Sequence, residues 1–263
     1  MKVIGCYNIK GGVGKTAAAV NLAYLSSLEG KRTLIMDLDP QGASSYYFKI
    51  KPKLKGGSKT LLKGEKEAEL LIKGTSYIGL DLLPTDFSMR NMDILMEDKK
   101  KPTKLLRRFL KGITNQYDYV FIDCPPGISL VSENVFSAAD ALVIPTIPST
   151  LSLRTLDQIT RFCHENASQQ LLLFPFFSMV DLRKQLHREI VDHPPAIPMK
   201  WLTSFIPYSS EIERMGIKRA PLISYAHKSR AALAYTSLWT EIRALLASHH
   251  ENPKTVKPNL NNN

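Results

Sequence analysis

Three glycines within four residues, closed by a lysine and a threonine, constrain this chain more than anything else in it. Residues 8 to 16 read Asn8-Ile9-Lys10-Gly11-Gly12-Val13-Gly14-Lys15-Thr16. Gly11, Gly12 and Gly14 let consecutive backbone N–H groups curl around a polyphosphate. Lys15 supplies charge for the outer phosphates, and Thr16 supplies a hydroxyl for Mg²⁺. The apolar run Val3-Ile4-Gly5-Cys6-Tyr7 ahead of the loop has strand character, and Ala17 to Leu25 reads as a helix ending near Gly30. Strand, glycine loop and helix in that order aim the loop amides and the positive end of the helix dipole at one anion. Lys10 is surplus to this design. It lies on the far side of the loop, where the loop's own nucleotide has no evident need of it. A second cation so close to the phosphates points to a charge delivered in trans, as an arginine finger is.

Two later segments belong with the loop. Thr33-Leu34-Ile35-Met36 runs into Asp37-Leu38-Asp39-Pro40-Gln41-Gly42, and Tyr119-Val120-Phe121-Ile122 runs into Asp123-Cys124-Pro125-Pro126-Gly127. Ligands of an open parallel sheet bind beyond the carboxyl ends of its strands. Three strands therefore deliver a phosphate loop, an Asp-x-Asp turn and a single Asp to one edge. Mg²⁺ takes carboxylate, hydroxyl and water ligands around substrate phosphates. Asp123 suits that shell, directly or through water, with Asp37 as a further candidate, and Asp39 suits the orientation of an attacking water. An Asp ending a strand alone reads as a cap or turn residue; beside the loop, the three read as a catalytic set.

With these motifs in view, the chain resembles the ParA/MinD ATPases, whose phosphate loop is a deviant Walker A. The likeness rests on Lys-Gly-Gly-Val-Gly-Lys-Thr, Asp-x-Asp-Pro-Gln-Gly and Asp-x-Pro-Pro-Gly, and it continues in the carboxyl-terminal half. There Phe177-Ser178-Met179-Val180-Asp181 is similar to the segment near the adenine. Ile206-Pro207-Tyr208, with Glu211, Gly216, Pro221, Leu222 and Tyr225, is similar to the ParA-type stretch that closes the base pocket, and Ala234-Tyr235 falls in the final helix. The resemblance covers roughly residues 1 to 247 and implies a set of roles. Lys10, Gly11, Gly12, Val13, Gly14, Lys15, Thr16 and Ala17 would surround ATP, with Thr16 and Asp123 on Mg²⁺. Asp39 would position the hydrolytic water. Lys10 would reach the phosphates of a partner subunit, so that two copies sandwich two ATPs. Met179, Asp181 and Pro207 would border the adenine. One departure stands out: the family usually has a second Thr after Thr16, where this chain has Ala17. The change removes a hydroxyl near the inner phosphates and keeps the backbone N–H.

At 263 residues and 44% apolar content the chain can bury one good core, which a single α/β domain over residues 1–248 would use entirely. Strand patterns over Val3 to Tyr7, Thr33 to Met36, Leu80 to Leu83, Tyr119 to Ile122, Ala141 to Ile144, Leu171 to Phe177 and Ser204 to Ile206 alternate with helical ones. A doubly wound, mostly parallel sheet follows from that alternation. Residues 249–263 read as a polar, disordered tail. The first strand starts at once, so no signal peptide is expected, and no apolar run reaches eighteen residues. Cys6, Cys124 and Cys163 are scattered and odd in number, as reduced thiols in a cytoplasmic protein are.

The net charge of +11 is the remaining signal. An excess of that size attracts polyanions, and DNA affinity comes largely from phosphate contacts. Lys49, Lys51, Lys53, Lys55, Lys59, Lys63 and Lys66 crowd one segment and hold much of the charge that would attract a polyanion, with a simply solvated surface as the alternative reading. Arg183, Lys184, Arg188, Arg214, Lys218, Arg219, Lys228 and Arg230 form a second group, and in ParA-like proteins such residues line the DNA-binding face of the dimer. The resemblance thus implies an ATP-dependent homodimer that binds nucleoid DNA without regard to sequence. It also implies a stimulating adaptor protein and no stable membrane anchor. The loop begins at residue 10, so no helix-turn-helix domain is expected ahead of it. Three alternatives compete. A MinD-like membrane-surface ATPase needs an amphipathic last helix, whereas Leu233, Leu238, Trp239, Ile242, Leu245 and Leu246 read as a core-facing stripe. An iron–sulfur protein on this scaffold needs paired cysteines. An ATP-dependent synthetase needs a polar substrate set that the sequence does not display.

Overall fold

In the structure, a computed structural model that describes residues 1–54, 56–62, 68–166 and 170–251, seven strands form one sheet. They are β1 (Lys2–Cys6), β2 (Thr33–Asp37), β3 (Lys73–Gly74), β4 (Leu80–Leu83), β5 (Tyr119–Asp123), β6 (Ala141–Thr146) and β7 (Leu172–Phe177), in the spatial order β3-β4-β2-β5-β1-β6-β7. All neighbours run parallel except β3, an antiparallel edge strand of two residues that periodicity could not detect. The three central strands read as unbroken apolar runs because helices cover both faces of the sheet.

The principal helices are α1 (Lys15–Leu28), α2 (Ala43–Tyr47), α3 (Leu105–Lys111), α4 (Leu130–Ala138), α5 (Thr150–Asn166), α6 (Gln185–Asp192), α7 (Met215–Lys218), α8 (Leu222–Ala226) and α9 (Arg230–Glu251). One core lies between the sheet and α3, α4 and α5, where Phe109, Val135, Phe136 and Ile159 pack. The other lies under α1 and α9. Trp239 of α9 meets Tyr119 and Phe121 of β5 edge-on, with ring centroids 5.2 and 5.6 Å away. Such pairs add about 0.5–1.5 kcal/mol beyond area burial.

Three sequence expectations change here. Ser204 to Ile206 is not a strand: the Thr203 and Ser204 amides donate to the Glu241 carboxylate at 2.8 and 3.0 Å, which takes them from any ladder. Among the described residues the segment keeps a single parallel bridge, Val180 to Pro207, and the Ile206 N–H donates to the Phe177 carbonyl at 2.8 Å. The last helix continues through residues 249–251, and residues 252–263 of the expected tail lie outside the described residues. Leu233 is 57% exposed, because the buried stripe of α9 runs through Ala231, Ala232, Tyr235, Leu238, Trp239, Ile242 and Leu246 instead. Of the lysine-rich segment, Lys49, Lys51, Lys53 and Lys59 are exposed, while Lys55, Lys63 and Lys66 lie outside the described residues.

Candidate functional site

Strand pairing builds the site. β5 lies between β1 and β2 in a register that sets Asp123 beside Cys6 on one side and beside Asp37 on the other. The loop after β1, the turn after β2 and the end of β5 therefore meet at one edge. Asn8, fully buried, anchors the phosphate loop: its side-chain amide donates to the Pro145 carbonyl at 2.9 Å, and its oxygen accepts the Lys10 N–H at 2.9 Å. Gly127 N–H donates to the Ile9 carbonyl at 2.9 Å, which ties the loop to the segment after β5.

Gly12 and Gly14 adopt φ of 72° and 99°, the left-handed region that favours glycine. Gly14 precedes α1 with no side-chain cap, and no acidic residue occupies the first turn of the helix. The amides and the dipole at that end are left for an external anion. An added Cβ at Gly14 would also lie 2.9 Å from Ser178 Oγ, which would have to turn aside. Gly14→Ala is expected to cost about 1–3 kcal/mol of stability and to abolish nucleotide binding. Thermal unfolding beside a nucleotide titration checks both.

Lys15 is buried, with Nζ donating to the Lys10 carbonyl at 2.8 Å. Burial pushes its pKa down, against the pull of the Asp123 carboxylate. The Lys10 side chain is half-buried and makes no hydrogen bond or ion pair among the described residues. Asp39 closes its own turn: Oδ1 accepts the Gln41 N–H at 2.9 Å and its carbonyl accepts the Gly42 N–H at 2.9 Å.

Asp37 and Asp123 are both fully buried. Asp123 accepts hydrogen bonds from Thr16 Oγ1 at 3.2 Å and from Ser44 Oγ at 2.8 Å. Asp37 Oδ2 accepts from the Ser45 amide and hydroxyl at 2.8 and 2.7 Å, while its Oδ1 is buried with no partner among the described residues. Burial, then mutual repulsion, raises the Asp123 pKa, with Ser44 and Thr16 opposing. Burial also raises that of Asp37, with Ser45 opposing. An orphaned carboxylate oxygen beside a second raised carboxylate is a site short of positive charge, and its oxygen donors are those a hard divalent cation takes. No group of three or more His, Cys, Asp or Glu forms a metal cage among the described residues. Mg²⁺ needs no such cage, because it binds through one or two carboxylates, water and substrate phosphates. Thr16, Asp123 and Asp37 are the residues that would hold it.

The expected adenine-side residues reach the same edge. Val180 bridges Pro207, and Met179 takes a left-handed turn with φ of 55° between Ser178, beside Gly14, and Asp181. Asp181 is engaged in two ways. Its carboxylate receives Arg183 Nε and Nη2, both at 2.9 Å, which pushes its pKa down to about 2, and its N–H donates to His187 Nδ1 at 3.1 Å. The basic group does not form one uniform set. Lys184, Arg214, Lys218, Lys228 and Arg230 are exposed. Arg183 pairs with Asp181, Arg188 donates to the Leu182 carbonyl at 2.7 Å, and Arg219 donates to the Tyr46 carbonyl at 3.1 Å while lying over its ring. All three cysteines are free and buried, and burial pushes the Cys124 thiol up.

Sequence reasoning missed Asn8 as an anchor and missed Ser44 and Ser45. Only the position of two hydroxyls just after the Asp-x-Asp turn hinted at them, and a serine pair there looks like ordinary turn chemistry.

A left-handed glycine loop on the first strand, with two carboxylates at the ends of neighbouring strands, defines a P-loop nucleoside triphosphatase. A family profile described as an AAA domain matches residues 1–171. The chain belongs to that family and, within it, to the ParA/MinD ATPases. The sporulation initiation inhibitor protein Soj of Bacillus subtilis is 29% identical over 249 residues, covering 92% of this chain and 98% of Soj. Among solved structures, cobyrinic acid a,c-diamide synthase from Mycobacterium smegmatis, with bound ADP and magnesium, superposes with a TM-score of 0.79. It is 23% identical and covers 98% of both chains. A plasmid partition protein of Borrelia burgdorferi bound to AMPPNP gives 0.77 at 22% identity, covering 93% of this chain and 99% of its own. These structural likenesses establish the scaffold.

Proposed function

We propose that this protein is a slow, Mg²⁺-dependent ATPase that acts as a positional switch for a partitioned cargo. ATP brings two copies together across their phosphate loops, the pair binds DNA without reading its sequence, and hydrolysis releases it. The observation that carries this reading is the division of labour between two lysines on one loop. Lys15 is buried and turned back onto the loop's own carbonyl, whereas the half-buried Lys10 ammonium has no hydrogen-bond or ion-pair partner among the described residues. A fixed loop with one inward and one unspent cation suits a site completed by a second copy.

Within each copy, Gly11 to Ala17 would cradle the phosphates, Thr16 and Asp123 would hold Mg²⁺ with Asp37, and Asp39 would orient the attacking water. Bound Mg²⁺ would supply charge neutralisation at the outer phosphates. Met179, Asp181 and Pro207 would border the adenine. Two basic faces held in one dimer multiply DNA affinity through effective concentration, so dimerisation alone can switch DNA binding. An adaptor protein that stimulates hydrolysis would set how long the state lasts, and the nucleoid would be its location in the cytoplasm.

The MinD-like alternative requires an apolar helix face free to lie on a membrane. In α9 that face is spent on the core, and no helix among the described residues is long and apolar enough to cross a bilayer. The test is binding to nonspecific duplex DNA with ATP, ADP or no nucleotide at two salt concentrations. Binding should need ATP and fall steeply as salt rises, as counterion release requires. Absence of DNA binding in every nucleotide state would overturn the DNA switch, and binding to anionic vesicles would then favour the membrane reading.

A further inference from the structure

We infer that Ser44 is a positioning residue for the metal side of this site, acting through Asp123 and through the turn that carries Asp39. The inference rests on the reading of the loop and carboxylates as a Mg²⁺–nucleotide site. Asp123 has two oxygens and receives two hydroxyls. Thr16 donates to Oδ1 from the first turn of α1, and Ser44 donates to Oδ2 from α2, at the shorter distance of 2.8 Å. Ser44 and Asp123 are both fully buried, so no water competes for that bond. With its two oxygens held from two different elements, the carboxylate cannot rotate about its own axis. That fixes which oxygen faces Thr16, the hydroxyl expected on the metal.

The same bond acts in the other direction. Asp39, the Gly42 turn and Ser44 are continuous in the chain, and Gly42 has φ of 66° with its N–H on the Asp39 carbonyl. Ser45 secures the adjacent point by two bonds to Asp37. The segment bearing the proposed water-orienting carboxylate is thus pinned at its far end to both metal-side carboxylates, one serine to each. Asp37 keeps its amide bond if the Ser45 hydroxyl is lost, whereas Asp123 receives only a hydroxyl from α2. Ser44 is therefore the more sensitive of the two. Partners of metal-holding groups fix the orientation of those groups, and their loss typically lowers metal affinity or activity about 10- to 100-fold.

The experiment titrates Mg²⁺ into the full-length protein with a fluorescent ATP analogue and reads nucleotide binding rather than turnover. Binding without Mg²⁺, in excess chelator, and the unfolding temperature are measured alongside. Ser44→Ala should raise the half-saturating Mg²⁺ concentration about tenfold or more, lower the unfolding temperature by the few degrees that the loss of one buried hydrogen bond brings, and leave metal-free nucleotide binding near wild type. Ser44→Thr, which keeps the hydroxyl, should restore the wild-type Mg²⁺ dependence. Ser44→Cys, of similar volume with a weaker donor, should give an intermediate value, and it carries the test if the alanine variant does not fold. A Ser44→Ala protein with wild-type Mg²⁺ dependence would overturn the inference. So would an equal loss of metal-free and Mg²⁺-supported binding, which marks a merely structural role. A wild-type protein whose nucleotide binding ignores Mg²⁺ would instead overturn the underlying site reading, and the inference with it.

Discussion

Lys10→Ala is expected to lower adaptor-stimulated ATP turnover by about 10³-fold or more, the scale on which a trans-acting cation contributes to phosphoryl transfer. It should leave the protein monomeric in ATP while each monomer still binds nucleotide. The physical ground is the separation of the two lysines. The Lys10 backbone is held by Asn8, and its carbonyl carries the Lys15 ammonium, so truncating the Lys10 side chain disturbs neither bond. Lys15→Ala makes the contrast. It removes the buried cation of the loop, and nucleotide binding itself should disappear. Sedimentation in ATP, paired with a fluorescent-nucleotide titration, separates the two variants. A Lys10→Ala protein that still dimerises and turns over at the wild-type stimulated rate would remove the trans role from Lys10.

Asp39→Ala should have the second largest effect: hydrolysis lost, and the ATP-bound dimer trapped on DNA. Asp39 differs from Asp37 and Asp123 in being only half-buried and outside their buried hydroxyl network. Its one side-chain bond among the described residues is to the Gln41 amide in its own turn, which leaves the second carboxylate oxygen to orient a water. Removing it should spare phosphate and metal binding, so ATP affinity persists while the chemical step fails. The checks are single-turnover ATP cleavage and the lifetime of the DNA complex in ATP. Cleavage at the wild-type rate would take the water-positioning role away from Asp39.

The loop, the Asp-x-Asp turn and Asp123 were legible in the sequence because each is a local pattern at the end of an apolar run, and a parallel sheet delivers such ends to one edge. The order of the strands was not legible. That β5 lies between β1 and β2, and so sets Asp37 against Asp123, is a matter of long-range pairing. The expected strand at Ser204 to Ile206 failed for a similar reason, since Glu241, nearly forty residues away, takes the Ser204 amide and that of Thr203 before it. The exposed side of α9 was misjudged at Leu233, where apolar content alone suggested burial.

Local sequence was enough to establish the class of chemistry: a left-handed glycine loop ahead of a helix, with carboxylates placed for a hard cation, follows from residue type and spacing. Tertiary structure alone decided which hydroxyl holds which carboxylate, that Lys15 turns inward while Lys10 stays unpaired among the described residues, and that Arg183, Arg188 and Arg219 are engaged within the chain. The reason is physical. Backbone conformation at a glycine or a strand end is fixed by near neighbours, whereas the partner of a buried polar atom is whatever group the packed fold brings within hydrogen-bonding distance.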